Sequence, residues 1–111
     1  MRIVLALVAL TSTTAWAGPI SKFDSRPIAY KALLGAKLED VERCLIDVGK
    51  MGLANVFRQP DRPDHVTLTW SSGAGVATAR VDLDRDQDGT RITSWLERKD
   101  LLPCTQTERS Q

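Results

Sequence analysis

The hydrophobic pattern of this chain changes period once, around Gly49–Gly52, and that change constrains the fold more than any other feature. Before it, Leu38, Val41, Cys44, Leu45 and Val48 recur at helical spacing and form one stripe about 120° wide. Glu39, Asp40, Arg43 and Asp47 fall on the other side. The acids of the first turn lie where the helix dipole favours negative charge, and Gly49 can close the helix in a left-handed conformation. Ile46 is off the stripe and is expected at the edge of the core or beneath another element.

After Gly52 the spacing drops to two. Residues 54–58 read as a short first strand, and Pro60 and Pro63 make residues 60–64 a rigid turn. Val66, Leu68 and Trp70 alternate with threonines. Residues 71–75 form a turn, and Ala77, Ala79, Val81 and Leu83 then alternate with Thr78, Arg80 and Asp82. Residues 90–96 form the last strand, with Ile92 and Leu96 on one face and Thr93 and Trp95 on the other. These strands are apolar on one face and polar on the other, which is the signature of an antiparallel meander with one face buried. The expected fold is α+β: one amphipathic helix packed on a three- to four-stranded antiparallel β-meander. The small residues Ala77 and Ala79 let the helix approach the middle strand closely. Ser25 and Pro27 suit a helix entry, so residues 27–34 read as a short helix ending at Gly35, with an edge strand as the alternative.

Residues 1–17 have a different composition. Arg2 precedes the apolar run from Ile3 to Leu10, small polar residues follow, and Ala15-Trp16-Ala17 closes the segment. This is the pattern of a secretory signal peptide cut before Gly18, leaving residues 18–111 as a single small domain. The run is much shorter than the ~20 apolar residues of a membrane span. No cysteine follows the cut, so neither a lipid nor a membrane anchor is expected. The destination is the periplasm or the exterior, and the short leader with an Ala/Arg/Asp-rich composition points to a bacterial envelope.

Cys44 and Cys104 are the only cysteines. In an exported domain they are expected to form one disulfide, because thiols oxidise there. A bridge closing about 60 residues stabilises the fold by roughly 4 kcal/mol on the chain-entropy argument. Neither cysteine has a Cys-x-x-Cys partner, so a redox or nucleophilic role is not expected. Pro103 onward reads as a polar tail that is loose beyond Cys104.

Charge excludes some partners. The whole chain carries 15 basic and 14 acidic residues, and removal of the leader takes away Arg2 alone. The balance gives no basic footprint for nucleic acid and no attraction to anionic lipid.

Three constellations remain as candidates. Asp84, Asp86 and Asp88 with Gly89 match the first half of a calcium loop, in which alternate aspartates direct oxygens at one hard cation. Trp95 stands where the closing glutamate would be, and Asp88-Gly89 is equally a hairpin turn signal. His65 is the only histidine, and alone it supports neither zinc nor a triad. Trp95, with Arg80 and Thr93, would form a binding patch if it lies on the polar sheet face. A one-residue register shift would turn Trp95 inward, and the N-terminal segment could cover it instead.

The order helix-then-meander resembles that of small exported domains such as outer-membrane assembly lipoproteins and cystatin-like inhibitors, in architecture alone. The expected function is a non-enzymatic binding or assembly module of the cell envelope. It would be a monomer or weak oligomer that docks an envelope protein through the polar sheet face or an edge strand. A weak calcium-binding domain is the first alternative, and a small secreted hydrolase or inhibitor the second.

Overall fold

A computed structural model describes residues 18–48, 51–72 and 74–109. The leader of residues 1–17 and the proposed helix stop at Gly49 lie outside the described residues.

A single 3-10 turn at Ser21–Phe23 leads into β1 (Tyr30–Leu34), α1 (Leu38–Val48), β2 (Ala54–Phe57), β3 (His65–Ser71), β4 (Ala77–Asp86), β5 (Gly89–Ser94) and α2 (Arg98–Leu101). The sheet is antiparallel in the order β1-β5-β4-β3-β2. The meander is therefore β2 to β5, as the alternation predicts, with β1 added beside β5. The sheet has five strands rather than three or four.

The additional strand is the segment expected to be a short helix. Tyr30, Ala32 and Leu34 alternate toward the core, and the whole strand pairs with β5, from Tyr30↔Ser94 to Leu34↔Thr90. This ladder, which depends on residues far along the chain, outweighs the local entry signal at Ser25 and Pro27.

The apolar sheet face and the helix stripe meet as their spacing requires. Leu38, Val41 and Leu45 of α1 pack with Val66, Leu68, Trp70, Val81, Leu83 and Ile92, all nearly inaccessible to solvent. Burying each such side chain contributes roughly 1.5–3 kcal/mol. Ile46 is neither at the core edge nor covered: it is 41% exposed. One turn earlier, Glu42 is buried and pairs with Arg58 beyond β2.

Cys44 and Cys104 are bonded, with their Cα atoms 5.6 Å apart. The bond fastens α1 to the segment after α2, and that segment is not a loose tail. Gly35 N–H donates to Thr107 O (2.8 Å), Arg109 N–H donates to Leu33 O (2.9 Å), and Glu108 bridges Leu34 along the outer edge of β1. Thr105 is fully buried. Among the described residues, no helix is long and apolar enough to cross a membrane.

Gly89 opens β5 at φ +142°, and a Cβ there would stand 1.9 Å from the Leu34 carbonyl oxygen. The turn at this position admits only glycine, both for its backbone angle and for the approach of β1.

Candidate functional site

The second sheet face is built by register. β3 and β4 pair Thr67 with Asp82 and Thr69 with Arg80, so these four share the face opposite the core. Arg80 and Asp82 are two apart on one strand and therefore point the same way. Arg80 Nε and Nη2 donate to the two Asp82 oxygens at 2.9 and 2.8 Å, a bidentate pair on a residue only 8% exposed. Arg80 Nη1 donates further, to Ile20 O (2.7 Å) and Asp24 Oδ1 (2.9 Å). Burial works against this charge, yet Asp82 and then Asp24 hold the guanidinium above its ordinary pKa.

Arg80 thus anchors residues 20–24 across the polar face. Phe23 is buried there, edge-on to Trp95 at 6.1 Å, and Lys22 Nζ donates to Ala77 O. Trp95 keeps the register expected for it: Arg80 lies 4.7 Å from its ring centroid, and its Nε1 donates to Arg26 O at 3.2 Å. The Trp95–Arg80 pair is therefore filled by the chain's own N-terminal segment. Thr93 lies on the same face, opposite Asp82 of β4 and Lys31 of β1.

The network continues toward β2. Thr67 Oγ1 donates to Asp82 Oδ1 (2.9 Å), His65 Nε2 lies 3.1 Å from Thr67 Oγ1, and His65 Nδ1 lies 2.6 Å from Asp84 Oδ1. Carboxylate, imidazole and hydroxyl stand in the order used by hydrolytic triads. The Thr67 proton, however, is directed to Asp82, and the residue is 4% exposed. An activated nucleophile would point its proton at the imidazole and its oxygen at solvent.

The calcium candidates separate. Asp84 and Asp86 are strand residues of β4, and only Gln87 and Asp88 turn before β5. Asp84 meets His65, whereas Asp86 accepts from Asp88 N–H (3.1 Å) and from Arg91 Nε (2.7 Å). The Asp88 amide, and then Arg91, hold the Asp86 carboxyl below its usual range. Among the described residues, no three metal-binding side chains converge.

The remaining surface feature is the free edge. β2 has one neighbour in the sheet, β3, and its other side has no strand partner among the described residues. Around it Leu53 is 92% exposed and Val56 is 38% exposed. Two clefts, of about 320 and 380 Å³, lie between β2 and the N-terminal segment and share Phe57 as a wall. Sequence reasoning missed Phe57 and Phe23 as site residues. Phe57 pairs with Thr67, which places an aromatic side chain on the polar face, and that break in polarity was the available signal.

No protein-family model matches this chain, and neither the curated proteins nor the solved structures include one that matches it.

Proposed function

We propose that this chain is exported and serves as a non-enzymatic docking module of a bacterial envelope, periplasmic or secreted, which receives a strand of a partner protein along β2. The observation that carries the reading is the unpaired outer side of β2, flanked by exposed Leu53 and Val56. An unpaired edge offers a row of main-chain donors and acceptors, and apolar residues beside it reward a partner that covers them. Soluble domains often guard such an edge with a covering segment, and among the described residues one lies along the opposite edge at β1 and none along β2.

The leader pattern of residues 1–17 and the formed Cys44–Cys104 bond support an oxidising destination. The polar face, the other surface considered for docking, is largely filled by residues 20–26, which favours the edge.

The test is capture from envelope extract with the oxidised domain of residues 18–111, wild type against Val56→Lys. A lysine on the edge removes apolar contact and introduces a charge that strand addition would bury. At least one envelope protein is expected to be enriched by the wild type and lost with the variant. Identical recoveries from both baits would sink the edge reading.

A further inference from the structure

The free edge of β2 separates two unlike surfaces. Val56 is the partner of Leu68 and so belongs to the helix side, where Ile46 of α1 is also exposed. Asn55 and Phe57 belong to the polar side, where the two clefts open. Lys22 lines the first cleft, and Arg58, Arg62, Arg80 and His65 line the second. Among the described residues, no aspartate or glutamate lines either. In a chain of 15 basic and 14 acidic residues, such segregation is a product of folding rather than of composition.

Part of this charge is already matched. Asp82 and Asp24 bind Arg80, and Glu42 binds Arg58. Lys22 and Arg62 have no carboxylate partner among the described residues. The Thr69 hydroxyl, on a residue with no exposed surface, lines the first cleft without a hydrogen-bond partner. Buried polar groups rarely go unpartnered, so this cleft wall retains unused hydrogen-bonding capacity among the described residues.

A strand sends successive side chains to opposite faces. A strand added to β2 would therefore direct one set toward the basic clefts and the other toward the helix-side face that carries Val56. On the basis of the edge-docking reading above, we propose that the segment received by β2 is an extended peptide in which acidic and aliphatic residues alternate. Main-chain hydrogen bonds hold it, and charge sets its register. A slip of one residue would place carboxylates against Val56 and aliphatic groups over Arg62.

The probes are synthetic peptides of about six residues, a usual strand length. One alternates glutamate and valine, one alternates lysine and valine, one has the composition of the first with its glutamates clustered, and one is all glutamate. Each is titrated into the oxidised domain while the backbone amides are followed by NMR. The alternating acidic peptide is expected to bind, to shift the amides of residues 54–58, and to weaken as salt rises. Arg62→Glu should weaken it about tenfold, the effect of one close charge contact.

Equal binding of the lysine peptide or the clustered peptide would overturn the alternation rule. Equal binding of the all-glutamate peptide would show bulk charge attraction and overturn it too, as would no binding by any peptide. The two proposals fail differently. If Val56→Lys abolishes envelope capture but no peptide binds, edge docking stands and the alternation rule falls. If Val56→Lys leaves binding of the alternating peptide unchanged, the peptide sits elsewhere and its proposed seat on β2 is overturned.

Discussion

The two edges of the sheet are handled in opposite ways. At β1 the chain returns to cover its own edge: Glu108 bridges Leu34, the amides of Gly35 and Arg109 are paired, and the disulfide keeps the returning segment in place. At β2 nothing in the described residues returns, and Leu53 and Val56 remain exposed. Both strands are short, with five and four residues, so length does not distinguish them. The difference lies in the covalent tether. A C-terminal segment this polar has little apolar surface to hold it on an edge, and the bond to α1 supplies the constraint that composition does not.

The most severe way to break the comparison is to cut the tether. Cys44→Ser is expected to cost roughly 4 kcal/mol. It should also open the β1 edge, seen as faster hydrogen exchange at Gly35 and Arg109 in variant than in wild type. If the variant melts like its parent, the tether does not do what is claimed for it.

Gly89→Ala tests the same edge from the hairpin. Its Cβ would meet the Leu34 carbonyl at 1.9 Å, so β1 or the turn must shift. A loss of about 3 kcal/mol is expected, combining overpacking with an unfavourable φ. A change below about 1 kcal/mol would show that the β1 edge adjusts freely.

At the other edge, Val56→Lys should change stability by less than about 1 kcal/mol, because the residue is partly exposed and packs on one side only. Loss of docking with retained melting temperature would separate function from fold at β2. A large drop in melting temperature would instead make this edge part of the core.

The smallest effect lies in acid, beside the closed edge. Hydrogen bonds from Arg85, and then a backbone amide, hold Glu39 at about 2, below its ordinary 4.5. A depressed carboxylate stabilises the fold above its unfolded pKa and loses that contribution as pH falls through the folded one. Between about 4.5 and about 2, Glu39→Gln should therefore flatten the fall of melting temperature with pH. The pair is exposed and ionic, so salt should reduce the difference. Parallel wild-type and variant curves over that range would remove Glu39 from the acid response.

Much of the fold was legible because periodicity reports on burial directly. The stripe Leu38, Val41, Leu45 and the alternation Val66, Leu68, Trp70 describe surfaces that must be removed from water whatever their partner. The face of Trp95 was left open by the sequence, because it follows the end of β5 and either a register shift or cover by the N-terminal segment fitted its phase. The β1 strand was legible only as the alternative to a short helix, because residues 27–34 carry a helix-entry signal and become an edge strand only against β5. The fate of the acidic run was not legible: Asp84 and Asp86 match half of a metal loop in sequence, and His65 and Arg91 claim them in space.

By itself, the sequence determined α1 and the four strands of the meander, the face each turns inward and the single pair of cysteines available to join them, because period and composition are local properties. Only the tertiary structure decided that the N-terminal segment occupies the polar face, that the C-terminal segment seals β1, and that β2 stays open. Those outcomes depend on which distant segments compete for the same hydrogen bonds and the same buried area. Neighbours in sequence carry no record of that competition.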